Sequence, residues 1–297
     1  MQGHRVSYHR PPTSQFARWE QPFVAWAEEN GYTLDFATNL GLELRPGMVK
    51  PYKLLLSLGH DEYGSAPMRD TVEGFAAAGG NVAFFSGNTG CRQVRREPGT
   101  KSFLCWKQWS NQDEFHTSTA KTIPTLVTLW SHHLVGRPEN TMTGVDFIHG
   151  GYHKSHGQLM DGSGAYTVHR PDHWLFEGTS LMKDQEFGGK DTIVGYECDG
   201  CELEWRDGLP FPTNRDGMPK SFTILATAPA KWAPGDSWWY ERWPGPDHTG
   251  HAVLGLHTTE AGGTVVTCGS TDWAHGLKGG DEVVMRITRN VMERLGR

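Results

Sequence analysis

Nowhere in the 297 residues does an apolar run approach the ~18 residues needed to cross a bilayer, and Met1-Gln2-Gly3-His4-Arg5 is too polar to open a signal peptide. Basic runs are missing too. With 28 Lys and Arg against 34 Asp and Glu, and a net charge of −6, the chain has no electrostatic footprint for nucleic acid. Cysteines are few and odd in number, and five in a chain of this size fit reduced thiols rather than a disulfide framework. Cys198-Asp199-Gly200-Cys201 has CxxC spacing but lacks the second pair that a four-cysteine zinc site requires. The expectation is a cytoplasmic protein with neither a nucleic-acid nor a membrane partner.

What the chain does have is glycine, 37 residues, and tryptophan, 12 residues. The first ninety residues alternate strand and helix patterns. Arg5-Val6-Ser7-Tyr8 reads as a short strand closed by Arg10-Pro11-Pro12, and residues 21–30 as a helix with Phe23, Trp26 and Ala27 on one face and Gly31 as its left-handed stop. Leu34-Asp35-Phe36-Ala37 reads as a second strand, and residues 52–58, rich in leucine, as a third one buried on both faces as in a parallel sheet. Ser65 is placed to cap the next helix, with Pro67 in its first turn and Met68, Val72, Phe75 and Ala76 as its apolar stripe. A fourth strand, Asn81-Val82-Ala83-Phe84-Phe85, opens into the polar turn Ser86-Gly87-Asn88-Thr89-Gly90, whose amides can face a ligand.

Near the end, residues 263–268 repeat the pattern, exit through Gly269-Ser270-Thr271-Asp272-Trp273, and lead to a helix capped by Asp281 with Val284, Ile287, Val291 and Leu295 inward. Three polar strand exits would share one rim of a parallel sheet. Residues 91–262 differ: they hold nine of the twelve tryptophans and only short strand-like runs, such as Ile193-Val194-Gly195-Tyr196 and Phe222-Thr223-Ile224-Leu225. The expected organisation is one α/β domain, 1–297, with a parallel-sheet core (1–90 and 263–297) and a Trp- and Gly-rich insertion (91–262) packed over the rim.

His60-Asp61-Glu62-Tyr63 is the densest functional cluster: an imidazole, two carboxylates and a phenol at a strand end before a helix, where open α/β sheets place active sites. The competing explanation is that His60, Asp61 and Glu62 merely fix the turn through hydrogen bonds to its backbone.

These residues also resemble a known family. Leu58-Gly59-His60-Asp61-Glu62-Tyr63, Met68-Arg69-Asp70, the run from Gly79 to Thr89, His173 to Thr179, Val194 to Gly200, and Gly262-Gly263-Thr264-Val265 running to Thr271-Asp272-Trp273 are similar to the C-terminal catalytic region of the large (beta) subunit of N,N-dimethylformamidase. The resemblance implies a fold like the class I glutamine amidotransferases, a flavodoxin-like three-layer core. It further implies hydrolysis of the C–N bond of a small, formamide-type amide by a mononuclear ferric iron held by two tyrosines and a glutamate. Tyr63 matches one tyrosine and Glu197 is the candidate carboxylate, with Glu139 as a rival. The second tyrosine falls at Trp106, and indole offers no lone pair to a hard metal. Gly64 and Cys91 depart from the family's tryptophans. Since the family's large subunits carry a further N-terminal region, the resemblance implies either a free-standing domain or a piece of a longer chain.

On this reading Tyr63 and Glu197 bind metal, His60, Asp61 and Glu62 form the proton-handling cluster, and Asn88 donates to a developing oxyanion. The expected partners are a small amide substrate and a second copy or a small accessory subunit. The alternative is a noncatalytic amidotransferase-like module that binds a ligand or subunit through a degenerate metal site. Three further groups are weighed: His149, Tyr152, His153 and His156 in one Gly-rich loop as metal ligands or exposed histidines; His132 and His133, on opposite sides if extended; and Cys91, a nucleophile without an identifiable base or a buried thiol.

Overall fold

A computed structural model of the chain describes residues 4–5, 15–117, 119, 121–155, 158–159, 164–232 and 249–297. Its main strands are β1 (Leu54–His60), β2 (Asn81–Gly87), β3 (Asp146–Gly151), β4 (Tyr166–Val168), β5 (Glu186–Phe187), β6 (Cys198–Gly200), β7 (Thr223–Lys231), β8 (Thr249–Thr258) and β9 (Thr264–Thr267). Its main helices are α1 (Gln21–Glu29), α2 (Ala66–Ala77), α3 (Trp273–Gly279) and α4 (Glu282–Leu295).

Seven strands form one sheet in the order β5-β4-β7-β8-β9-β2-β1. β9, β2 and β1 are mutually parallel, whereas every pair from β5 to β9 is antiparallel. The protein is therefore mixed α/β, not a parallel sheet throughout. Residues 91–262 do more than lie over a rim, because β4, β5, β7 and β8 extend the same sheet.

The parallel part is layered on both faces, and the period-two alternation of its strands says why. Ala83 and Phe85 on β2 and Val266 on β9 join Phe23, Trp26, Trp273, Ile287 and Val291 in the large core beneath α1, α3 and α4. Val82, Phe84 and Val265 face the other way and pack with Ala76, Val72 and Phe75 of α2. β1 shares this pattern but, as the outermost strand, stays half-buried. Ser65 caps α2 by accepting from the Met68 amide at 3.4 Å, and Asp281 caps α4 by accepting from the Val283 and Val284 amides. Both caps follow from residues placed to satisfy the first free amides of a helix.

Two strand expectations fail, and the extended form in which His132 and His133 would point apart is not adopted. Leu34-Asp35-Phe36-Ala37 forms no strand: Phe36 is exposed, Asp35 accepts from the Tyr52 hydroxyl, and no strand pairs with the segment. Ile193-Val194-Gly195-Tyr196 is irregular, since its polar backbone bonds to Ser270 and Asp272 side chains instead of a ladder. His132 and His133 do not point apart but stack at 4.6 Å within a turn. Of the N-terminal strand, His4–Arg5 is paired with Leu104 and Cys105, and the rest lies outside the described residues. Among the described residues no helix is long and apolar enough to cross a membrane.

Candidate functional site at the parallel rim

β1, β2 and β9 end together, and the polar exits read from the sequence converge. The Ser270 amide donates to Ser86 O at 3.0 Å, the Thr271 amide to Glu197 O at 3.1 Å, and the Gly90 amide to Asp61 O at 2.7 Å. Gly87 makes this crossing possible. A Cβ there would stand 2.4 Å from Glu197 O and 2.5 Å from Thr271 N, distances that no side chain tolerates. Gly59, at φ +74° just before His60, similarly admits Trp19, which would lie 2.4 Å from an added Cβ.

The candidate residues form one continuous chain of contacts. The Tyr63 hydroxyl donates to Glu62. Glu62 Oε1 accepts from Arg92 Nε at 3.0 Å and lies 3.7 Å from Lys107 Nζ, while Oε2 stands 3.6 Å from His60 Nε2. His60 Nε2 is 2.7 Å from Glu197 Oε2, an ion-pair contact rather than a linear hydrogen bond, and Asn88 Nδ2 donates to the same oxygen at 3.0 Å. Trp19 and Tyr196 flank the imidazole at 5.7 and 6.2 Å between ring centres. Asp61 stands at the chain's edge, its Oδ2 accepting from Ser57 Oγ at 2.7 Å.

Burial and neighbouring charge set the proton affinities. Burial alone would lower the pKa of His60, but the close contact with Glu197 and the charges of Glu197, Glu62 and Asp61 together hold it above the usual value. Burial, then the Glu62 charge and hydrogen bond, push the Tyr63 phenol far above its ordinary range.

The Asn88 and Thr89 amides do not face an open ligand position. Asp199 fills it, accepting from Asn88 N at 2.9 Å and Thr89 N at 3.0 Å. Asn88 holds φ +52°, a left-handed conformation that asparagine tolerates. Burial raises Asp199 to about 7 against the opposing pull of the Thr89 amide. A second buried carboxylate, Asp272, accepts from Trp19 Nε1 at 2.6 Å and Tyr196 N at 3.3 Å, approaching so closely that Gly195 has no room for a Cβ.

Sequence reasoning missed Asp199, Asp272, Arg92 and Lys107 as members of this site. The Asp199 and Asp272 contacts span more than a hundred residues, so no local spacing could reveal them. Trp106 is buried, and its Nε1 has no hydrogen-bond partner. Cys91 is 1 % exposed, in an apolar cluster with Leu129, Phe147 and Trp232, and Cys198 and Cys201 are both free thiols in separate clusters. Of the loop histidines, His149 bonds Asp146, His153 is buried, and His156 lies outside the described residues.

The sequence model of the family described as N,N-dimethylformamidase beta subunit-like, C-terminal, matches residues 1–286. No curated protein matches the chain.

Proposed function

The chain belongs to the N,N-dimethylformamidase beta subunit-like, C-terminal family, and from that premise we propose that it is a hydrolase of the C–N bond of a small, formamide-type amide. The observation that carries this reading is the unbroken chain Tyr63–Glu62–His60–Glu197–Asn88 at the exits of two adjacent parallel strands. The three covered layers around β1, β2 and β9 agree with an amidotransferase-like core.

A ferric ion would supply carbonyl polarisation and a water acidified toward neutral pH. Tyr63 and Glu197 are the residues proposed to contact it. They do not complete the implied set of two tyrosinates and a carboxylate. The third position is Trp106, without a lone pair, and Glu197 Oε2 is engaged by His60 and Asn88.

The protein's own groups account for the proton traffic. Glu197 takes a proton from the attacking water as its oxygen bonds to the amide carbon. The second amide proton of Asn88 Nδ2 faces the carbonyl oxygen as charge develops there. The His60 imidazolium, held charged between Glu197 and Glu62, delivers a proton to the nitrogen as the C–N bond breaks, leaving a carboxylic acid and an amine. Asp61 keeps the turn rigid through Ser57 and Gly90. Tyr63, Arg92 and Lys107 hold Glu62 in place.

Release of ammonia from formamide and acetamide, and of dimethylamine from N,N-dimethylformamide, by protein expressed with iron tests this. The parent should hydrolyse at least one of them, and His60→Gln and Glu197→Gln should each lose about 10²- to 10⁴-fold. A parent inactive on all three, or unaffected by both substitutions, would sink the proposal. Trp106 favours a second reading: a ligand- or subunit-binding module, consistent with a family named for a subunit. Activity appearing only in Trp106→Tyr would support it.

A further inference from the structure

We infer that Asp146, His149 and Asp216 form a separate site for one divalent transition-metal ion of the zinc class. One ligand atom from each residue lies within 4.8 Å of the other two. Donors about 2.1 Å from one tetrahedral ion stand about 3.4 Å apart, so small side-chain rotations suffice to close the set. An imidazole nitrogen with two carboxylate oxygens suits zinc better than calcium or magnesium, which take oxygen alone, and leaves a fourth position for water.

The local structure holds two of the donors ready. Asp146 and His149 lie on β3, where Asp146 Oδ1 accepts from the His149 amide at 2.7 Å and both carboxylate oxygens stand 2.8 Å from His149 Nδ1. Asp216 arrives from the loop that follows the hairpin of residues 203–212, and His149 and Asp216 are partly exposed, which gives an ion access.

Two orphaned acceptors show that the internal ion pair does not account for the charge. Asp216 Oδ2 is cut off from solvent and has no hydrogen-bond partner. Deeper in, Glu139 is 1 % exposed with neither oxygen hydrogen-bonded, in the field of Asp146. Glu202, whose charge also acts on His149, is already bonded by Arg215 at 3.1 Å and by Thr213. Arg69, the cation facing Glu139, bonds Glu73 and the carbonyls of Arg137 and Pro138. Buried carboxylate oxygens persist when paired, bound to a metal or protonated, and one divalent ion would give Asp216 Oδ2 the partner it lacks.

The position also suggests a purpose. Asp146 registers with Gly200 on β6, and the same ladder joins Gly151 to Cys198. An ion here would pin the ladder that carries Glu197 and Asp199 to the rim without entering the rim itself.

Zinc titration of the whole chain after chelator treatment tests the site, run in parent and in a Tyr63→Phe/Glu197→Gln background that removes the proposed rim donors. One equivalent should bind in both, and cobalt should give the intense visible absorption of a four-coordinate ion. Asp216→Asn should weaken zinc at least tenfold and His149→Gln should abolish the cobalt spectrum, while Asp216→His, which keeps a donor, should restore binding. Zinc affinity unchanged by Asp216→Asn and His149→Gln, or no saturable zinc in the background protein, overturns the inference. Should Asp216→Asn fail to fold, the comparison of Asp216→His with the parent decides, and zinc lost there also overturns it.

Discussion

In the parallel half of the sheet β1, β2 and β9 all deliver their C-terminal ends to one rim, and imidazole, carboxylates, phenol and guanidinium meet there in a single network. In the antiparallel half, neighbouring ends alternate from side to side, and two buried polar groups each bond one local partner: His169 Nε2 with the Thr227 hydroxyl at 2.8 Å, and the Tyr166 hydroxyl donating to Cys268 O. Histidine shows the consequence. At the rim, neighbouring carboxylates hold His60 above its usual pKa, whereas burial drives His169 down to about 4, assisted by Arg170. Strand direction, more than composition, decides whether buried polar groups cooperate or stand alone.

The largest expected effect tests that cooperation. Asp272 has no exposed surface, accepts from Trp19 Nε1, Thr271 Oγ1 and the Tyr196 amide, and lies 3.5 Å from His275 Nδ1. Asp272→Ala strands several buried donors at once and should cost about 3 to 5 kcal/mol in urea unfolding. Tyr166→Phe removes one solitary bond and should cost about 1 kcal/mol. Equal costs for the two would break the comparison.

The next effect is pH dependence in the antiparallel half. His169 and His173 are both held near 4, chiefly by burial, and His173 Nδ1 must stay unprotonated to accept from the Leu175 amide at 3.3 Å. A histidine whose folded pKa lies below its unfolded value of ~6.5 contributes stability that is complete above 6.5 and is lost as pH falls toward 4. Between pH 7 and 5 each of the two should therefore remove up to about 2 kcal/mol, less what solvent screening takes away, and a His169→Gln/His173→Asn double variant should lose correspondingly less stability than the parent over that window. A double variant whose urea midpoint shifts with pH over that window by as much as the parent's would contradict the single-group picture.

How much of this was legible in the sequence follows from the range of each interaction. The Leu54–Leu58 run, the Ser65 and Asp281 caps and the polar exits after Phe85 and Cys268 are local patterns, and they give the parallel half, its helices and the position of His60, Glu62 and Asn88. That Glu197 reaches His60 was signalled only through family resemblance, because they lie 137 positions apart in a chain whose fold closes the gap. The strands of 91–262 join the sheet through the pairing of β8 with β9, which no periodicity within that region announces. Leu34–Ala37 shows the converse, an apolar alternation with no strand beside it.

The smallest expected effect sharpens the comparison by separating the rim from its scaffold. α2 begins immediately after the site turn, and Gly74 lies inside it, two turns beyond the Ser65 cap. A Cβ added at Gly74 meets nothing within 4 Å. Glycine in a helix interior costs about 0.5 to 1 kcal/mol relative to alanine, because it surrenders more backbone freedom on folding. Gly74→Ala should therefore raise stability by about that amount, read as a higher urea midpoint with an unchanged slope. Amide turnover should stay at the parent's level, since His60, Glu62 and Glu197 are fixed by contacts with one another, Arg92 and Asn88 rather than by α2. A stabilised variant with altered turnover would instead tie the rim's geometry to the helix, and the network would no longer count as self-supporting.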